Sequence, residues 1–286
     1  MNLTNIGVVK DVLSRHGFNF SKGLGQNFII DSDICPRIAE YGNAAQGWGI
    51  LEIGTGVGVL TKELAMRADK VSAVEIDKRL IPVLAETLGE FNNIKIYNED
   101  VMKANLHKII SEDFSGLRTA ICANLPYYIT SPIIMLLLES RLPVESITVM
   151  VQKEAAQRLC AKVGSRESGA ITVGVNYYGT VTSLFDVSRG SFMPSPNVDS
   201  AVIRIDIDNQ PRLAPNEEKF FFKMVKAGFS QRRKTLANGL TSLLGIAKND
   251  VYSALRDLEI SESVRMEALD MEQLIALSLR LTKEEN

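Results

Sequence analysis

Several residue types are scarce in this chain of 286 residues, and each scarcity excludes a class of protein. The three cysteines lie far apart, with neither the spacing of a metal site nor the even number of a disulfide framework, so we expect reduced thiols. The two histidines have no cysteine or histidine at ligand spacing, and we predict no metal site. The longest apolar run, Ile133 to Leu138, has six residues, too few for a membrane span. Since Met1 to Lys10 also lacks the pattern of a signal peptide, we predict a cytoplasmic protein.

Net charge is small, at −2, and gives no sign of a polyanionic partner when it is averaged over the chain. The distribution is more informative, because residues 219–248 carry seven basic side chains and no acidic one. Residues 249–286 then carry nine acidic and four basic side chains. A basic stretch of this kind is typical of a surface that binds nucleic acid, although a solvated helix face gives the same pattern.

The stretch from Gly49 to Thr61 is the strongest signal that the chain contains. It begins as a buried strand, continues with glycines at alternate positions, Gly54, Gly56 and Gly58, and ends as the start of a helix. Glycine permits positive φ angles and lets the backbone approach a ligand closely. The helix N-terminus adds unpaired N–H groups. This pattern predicts the start of a nucleotide-binding βαβ unit, although a tight turn without a ligand shares it.

Carboxylates follow the predicted strands. Glu75 lies 21 residues after the first of these glycines, where ribose hydroxyls are held in such folds. Asp100 and Val101 follow the third predicted strand, where a carboxylate can bind an adenine amino group, unless Asp100 only caps a helix. Two features favour S-adenosylmethionine (SAM) over NAD: Glu52 suits a cation better than a pyrophosphate, and Val59 stands where the dinucleotide pattern has its last glycine.

The segment Asn124-Leu125-Pro126-Tyr127 follows the fourth predicted strand and indicates the chemistry. The nitrogen of an aromatic amine is a poor nucleophile, because its lone pair is delocalised into the ring. The amide oxygen of Asn124 and the carbonyl of Leu125, stiffened by Pro126, can accept its N–H groups and draw it toward tetrahedral geometry. Tyr127 offers a flat face for the base. Catalysis is then mostly orientation for in-line attack on an activated methyl donor, although an ordinary turn is the alternative.

The element pattern predicts two domains. Strands and helices alternate as far as Asp208, and only helical patterns follow. We therefore predict an α/β domain over residues 1–208, with an N-terminal helix and a glycine-rich lid loop at 17–31, and a helical domain over 209–286. Residues 173–187 and 200–207 are predicted to be two late strands.

Taken in order, these motifs resemble the KsgA (RsmA) family of SAM-dependent ribosomal RNA adenine N6,N6-dimethyltransferases. The segments that carry the resemblance run almost end to end: 25–28, 52–58, 74–77, 99–100, 124–127, 192–200 and 229–234. The resemblance implies a Rossmann-like α/β fold with a seven-stranded, mostly parallel sheet and a small all-helical C-terminal domain. It also implies an enzyme that dimethylates two adjacent adenosines in the 3′-terminal hairpin of small-subunit (16S) rRNA, linked to small-subunit assembly.

The resemblance further implies roles for single residues. Asn27 and Ile29 would contact SAM, Asn124 would hold both methyl donor and target amine, and Tyr127 and Phe192 would sandwich a flipped-out base. The predicted catalytic residues are Asn124, Leu125, Pro126, Tyr127 and Phe192. The predicted cofactor site comprises Gln26, Asn27, Ile29, Glu52, Gly54, Gly56, Gly58, Glu75, Ile76, Asp100, Val101 and Asn124. The predicted RNA-binding residues are Lys223, Lys226, Arg232, Arg233 and Lys234. Small-subunit rRNA or an immature small subunit is the predicted partner, and we expect a monomer.

Four other functions share part of this pattern. An Erm-type methyltransferase modifies one adenine of large-subunit rRNA with the same motifs, but segments Lys22 to Phe28 and Gln231 to Lys234 look like KsgA. A non-catalytic ribosome assembly factor would fit a degenerate site, whereas the site residues are present here. A DNA adenine methyltransferase usually carries Asp-Pro-Pro-Tyr and a separate DNA-reading domain. A nicotinamide dehydrogenase needs a histidine or lysine acid near the cofactor, and none stands out.

Overall fold

The structure is a computed structural model that describes residues 1–19 and 25–282. Of the predicted lid loop at 17–31, residues 20–24 lie outside the described residues, as does the start of the KsgA-like segment at Lys22. The chain forms two compact units. The first comprises Met1–Ala156 and Val181–Ile207, and the second comprises Gln157–Thr180 and Asp208–Asn286. The predicted division at residue 208 coincides with one crossing between the units but misses the earlier excursion at 157–180.

A seven-stranded sheet organises the first unit, in the order β4-β3-β2-β5-β6-β9-β7. The nine strands of the described chain are β1 (Phe28–Ile29), β2 (Trp48–Ile53), β3 (Lys70–Val74), β4 (Ile94–Tyr97), β5 (Arg118–Asn124), β6 (Ser146–Gln152), β7 (Gly179–Val187), β8 (Phe192–Met193) and β9 (Ser200–Ile207). From β4 to β6 all neighbouring strands are parallel, and β9 runs antiparallel to β6. The expected seven-stranded, mostly parallel sheet is therefore confirmed.

Strand β2 lies at the centre of the sheet and is covered on both faces. All six of its residues, Trp48 to Ile53, are buried, as expected for a parallel strand that is covered on both faces. Strands β1 and β8 form a separate antiparallel pair, which joins Ile29 to Phe192 and Phe28 to Met193. That pair fixes the end of the predicted lid loop, at Phe28 and Ile29, against the segment that precedes β9.

Helices connect the strands and make up the rest of the structure. In the described residues they are α1 (Ile6–Arg15), α2 (Ile34–Tyr41), α3 (Val59–Ala65), α4 (Ile81–Thr87), α5 (Leu106–Asp113), α6 (Thr130–Glu139), α7 (Lys153–Leu159), α8 (Ala170–Tyr178), α9 (Pro215–Ser230), α10 (Leu236–Leu244), α11 (Lys248–Asp257) and α12 (Met271–Thr282). Within the described part of the chain, no helix is long and apolar enough to cross a lipid bilayer.

The second unit is helical, as the resemblance implied, and it contains one correction to the sequence analysis. Residues 173–187 were expected to be one strand, but Ala170–Tyr178 is helix α8 and only Gly179–Val187 is a strand. The helix packs on α9, where the rings of Tyr177 and Phe221 stack at 5.1 Å. The hydroxyl of Tyr177 donates to Glu218 at 2.9 Å. These contacts override the strand propensity of a β-branched sequence.

Candidate active site

A cavity lies at the carboxyl ends of β2, β3 and β5, where open α/β sheets bind ligands. The predicted cofactor residues that line it are Gln26, Asn27, Ile29, Glu52, Gly54, Gly56, Glu75, Ile76, Asp100, Val101 and Asn124. Four of the five predicted catalytic residues, Asn124, Leu125, Pro126 and Tyr127, line the same cavity. The structure therefore brings together most of the residues that the sequence had marked as one site.

The three alternate glycines have different roles in this wall. All have positive φ angles, at 78° for Gly54, 54° for Gly56 and 92° for Gly58. A side chain at Gly56 would lie 3.1 Å from the ring of Phe28, so this glycine admits the β1 segment. Gly58, in contrast, precedes the first residue of α3 and packs against Leu88, and it is not part of the cavity wall. Gly58 thus serves the turn and its packing, and its place in the cofactor site stays a prediction.

Glu75 anchors the glycine loop as well as lining the cavity. One of its carboxylate oxygens accepts the backbone N–H of Thr55 at 2.9 Å and the Thr55 hydroxyl at 3.0 Å. The other oxygen accepts the N–H of Asp77 at 2.8 Å. Burial raises the pKa of Glu75, while these hydrogen bonds oppose the rise. The role of Thr55 was not predicted, and no single-sequence signal marks it.

The end of the lid segment is tied to the residues after β3. Gln26 donates from its side-chain amide to the Asp77 carboxylate at 2.7 Å. The same carboxylate is held by the Arg79 guanidinium at 2.6 Å, which keeps the pKa of Asp77 below its usual value. Asp100 accepts the N–H of Met102 at 3.0 Å and also lines the cavity, so it caps a turn and borders the site at once.

The segment after β5 is held rigidly. The side-chain amide of Asn124 donates to the carbonyl of Asn27 at 3.4 Å, and the backbone N–H of Leu125 donates to the Met150 carbonyl at 3.2 Å. The Tyr127 hydroxyl shares a hydrogen bond of 2.6 Å with Ser200 on β9, and burial raises the pKa of this phenol. Three of the four residues of this segment are thus held by hydrogen bonds.

Two aromatic residues differ from what the sequence suggested. Phe192 is only 3% exposed, belongs to the hydrophobic core and is not part of the cavity wall. The Phe192 ring is covered by core residues, and its stacking on a target base together with Tyr127 stays a prediction. Tyr128, which the sequence analysis did not single out, is 63% exposed and does line the cavity. The only sequence signal for it was its place directly after Tyr127.

The charge of the cavity wall is of one sign. Among the described residues that line it, four are acidic, Glu52, Glu75, Glu99 and Asp100, and none is lysine, arginine or histidine. An acidic wall attracts a cationic ligand and disfavours a pyrophosphate. The wall therefore suits the sulphonium of SAM better than a dinucleotide, as Glu52 had indicated from the sequence.

A sequence model of the family described as ribosomal RNA adenine dimethylase matches residues 17–283 of this chain. The chain belongs to this family. As a ribosomal RNA adenine dimethylase it is an rRNA methyltransferase with SAM as its methyl donor, which confirms the activity and cofactor predicted from the sequence.

Individual ribosomal RNA adenine dimethylases and related structures support this assignment. A protein of Geobacillus sp. (strain WCH70), named ribosomal RNA small subunit methyltransferase A, is 45% identical over 95% of each chain. A protein of Alkaliphilus oremlandii with the same name is 45% identical over 96% of each chain. The crystal structure of the 23S rRNA methyltransferase ErmE has a TM-score of 0.68 at 29% identity, over 90% of this chain and 100% of its own. A dimethyladenosine transferase from Plasmodium falciparum, at a TM-score of 0.66 and 23% identity over 100% of this chain and 98% of its own, shares the fold.

The residues that this dimethylase was predicted to use for RNA lie in the second unit. Lys223 and Lys226 are exposed on α9, and Arg233 and Lys234 are exposed on the turn that follows it. Arg232 differs from the other four, because its guanidinium donates to the carbonyl of Arg166 at 2.7 Å. It also lies 3.8 Å from the Glu267 carboxylate. Arg232 is thus engaged within its own unit.

Proposed function

We propose that this dimethylase methylates N6 of two adjacent adenosines in the 3′-terminal hairpin of small-subunit rRNA, each twice, in an assembling small subunit. The observation that carries the proposal is the meeting of the rigid turn at 124–127 with the acidic cavity at the ends of β2, β3 and β5. The names of the most similar relatives support the small subunit as the substrate. We also propose that the protein acts in the cytoplasm and as a monomer.

The cavity wall can hold SAM in one orientation. The Glu75 carboxylate, fixed by Thr55, can accept the ribose hydroxyls, and Asp100 can accept the adenine amino group. Ile76 is 54% exposed and offers apolar surface to the adenine ring. Gln26 and Asn27 close the site from the lid side. When bound, SAM supplies a methyl group that is already activated by its positively charged sulphur.

The turn at 124–127 then orients the target amine. Because the Asn124 amide nitrogen donates to Asn27, the side-chain oxygen is the atom presented as an acceptor for the adenine N–H. The Leu125 carbonyl can accept the second N–H. The amine proton becomes acidic as the methyl group arrives, so no strong base is needed and orientation supplies most of the catalysis. The base must leave its stack to reach this point, and the rings of Tyr127 and Tyr128 offer it aromatic surface.

The direct test is methyl transfer from labelled SAM to small ribosomal subunits isolated from a strain that lacks the modification. We expect dimethyladenosine in the 3′-terminal hairpin with the wild-type protein. Asn124→Ala should lower the rate by about 100-fold, the usual effect of removing one hydrogen bond made to a developing charge. Asn92→Ala, an exposed asparagine outside the cavity, is the matched control and should keep the wild-type rate.

Two outcomes would contradict the proposal. Transfer to naked large-subunit rRNA but not to small subunits would indicate an Erm-type specificity, which the similarity to ErmE makes the main rival. RNA binding with no transfer to either substrate would indicate a non-catalytic assembly factor.

A further inference from the structure

Glu52 lies beneath the reactive end of the site. It is in β2, fully buried, and its backbone is in register with Cys122 on β5. Side chains alternate along a strand, so residues two apart share a face. Cys122 and Asn124 are two apart on β5. Glu52 therefore lies on the same face of the sheet as Asn124, two residues further from the carboxyl ends of the strands.

The Glu52 carboxyl makes no hydrogen bond of standard geometry in the described structure, and both of its oxygens are buried. Among the described residues, the only hydroxyl near enough to interact with it is that of Thr61 on α3, which is also buried without a well-formed hydrogen bond. An ionised carboxylate in such a place is costly unless a cation compensates it. Burial raises the pKa of Glu52 to about 8, helped by the charge of Glu75 and opposed by Thr61. The carboxyl is therefore neutral near pH 7 when no ligand is bound.

Among the described residues, no positive charge acts on Glu52 itself. The titratable groups that face Glu52 are Glu75 after β3, the thiol of Cys122 on β5 and the thiol of Cys35 on α2. Burial and the proximity of Glu52 raise the pKa of both thiols, so they stay neutral. On α3, Glu63 acts on Cys35 and is itself acidic. Arg204 on β9 is the positive charge in this neighbourhood: it lowers the pKa of Cys122 but does not act on Glu52. The charge that does act on Glu52, that of Glu75, is negative.

We propose that Glu52 distinguishes the charged methyl donor from the uncharged thioether product: it is protonated without ligand, ionises when the sulphonium is bound, and takes a proton back after methyl transfer. The inference rests on the use of SAM in this cavity. Methyl transfer breaks the C–S bond and leaves its electron pair on sulphur, forms a C–N bond, and releases one amine proton. One positive charge is lost from the cavity in this step, so an ionised Glu52 loses the partner that compensates it.

The ionisation of Glu52 affects how tightly the donor and the product are bound. Beside the sulphonium, ionised Glu52 adds a charge–charge attraction that stabilises the SAM complex. With an uncharged ligand Glu52 stays protonated and adds no such attraction. The product S-adenosylhomocysteine, which is the same molecule without the methyl group and its charge, is therefore held less tightly than SAM.

The test is calorimetric binding of SAM and of S-adenosylhomocysteine at pH 7, in buffers that differ in ionisation enthalpy. The wild-type protein should release close to one more proton on binding SAM than Glu52→Gln does. The amino group of the ligand titrates alike with both proteins, so the difference isolates Glu52. The SAM to S-adenosylhomocysteine affinity ratio should fall by about tenfold in Glu52→Gln, which corresponds to about 1.4 kcal/mol.

Glu99→Gln is the matched control, because Glu99 lines the same cavity but is exposed to solvent. It should keep the wild-type proton count. Equal weakening of both ligands in Glu52→Gln, with an unchanged proton count, would overturn the inference, because Glu52 would then face a group that the two ligands share. If Glu52→Gln fails to fold, the wild-type measurement is sufficient by itself: no proton release on binding SAM would overturn the inference. Absence of SAM binding would instead contradict the cofactor, and SAM binding without rRNA methylation would contradict only the proposed function.

Discussion

At the scale of single residues, the site is built from carboxyl groups that the fold places out of water. Glu52 and Glu75 are 0% and 5% exposed, and burial raises the pKa of both. They differ in their partners, because Glu75 accepts well-formed hydrogen bonds from Thr55 and Asp77 whereas Glu52 has only a weak interaction with Thr61. Glu75 is thereby suited to a fixed role in binding, and Glu52 is suited to a change of charge.

The buried Glu52 predicts how stability depends on pH in the ligand-free protein. The pKa of Glu52 is about 8 in the folded protein and 4.5 for an unperturbed glutamate, as in the unfolded chain. The folded protein therefore binds this proton more tightly than the unfolded chain does. The free energy of unfolding should therefore fall as pH rises from about 4.5 to about 8, and this contribution should level off above pH 8. Between pH 6 and 8 we expect a loss of about 2 kcal/mol that Glu52→Gln does not show, measured by urea unfolding. Equal pH dependence of the two proteins would contradict this prediction.

The same residues show what the sequence can say about a site. The positions of Glu75, Asp100 and Asn124 follow from one rule, because the ends of parallel strands meet at one edge of a sheet. The rule gives no information about whether a side chain is covered by another segment. Phe192 is covered by core residues and Gly58 packs on Leu88, so both fall outside the cavity wall despite matching the expected motifs.

At the scale of secondary-structure elements, strand β2 depends on a missing side chain. A Cβ atom at Gly49 would lie 2.4 Å from two ring atoms of Phe114 and 2.9 Å from its Cβ. Gly49→Ala should therefore force the buried Phe114 or the strand to move, at a cost of about 1–3 kcal/mol, and lower the unfolding temperature. The matched control is Gly239→Ala in α10, where no heavy atom lies within 4 Å of the added carbon. That change should leave stability equal or raise it by up to about 1 kcal/mol. A Gly49→Ala protein as stable as the wild type would contradict the packing.

The elements also show where periodicity fails. The continuous apolar pattern of β2 and the glycines after it predicted a strand and a turn that the structure contains. The segment from Ala170 to Tyr178 contains several β-branched residues, which favour a strand, and yet it is a helix. Its helical form depends on Phe221 and Glu218, about 40 residues further along the chain, and a local pattern contains no information about such partners.

At the scale of the whole molecule, the second unit is assembled from two separate pieces of chain. Residues 157–180 belong to it although they precede β9 of the first unit. The change of composition near residue 208 predicted one point at which the chain passes from the first unit to the second, because all later patterns are helical. The earlier excursion could not be predicted in the same way, since its helix α8 resembles a strand of the sheet. The contribution of the second unit to RNA binding stays a prediction.

The basic turn of the second unit gives the last prediction, which separates charge from structure. Arg233 and Lys234 are exposed, whereas Arg232 bonds the Arg166 carbonyl and lies near Glu267. The double change Arg233→Gln and Lys234→Gln should weaken rRNA binding and reduce the slope of log affinity against log salt by about 1.5, the effect of losing two phosphate contacts. SAM affinity and unfolding temperature should stay unchanged. Arg232→Gln, as the comparison, should lower the unfolding temperature as well, because it leaves the Arg166 carbonyl without its donor. An unchanged salt slope in the double variant would place the phosphate contacts elsewhere, since counterion release counts the cations that bind RNA whichever unit they belong to.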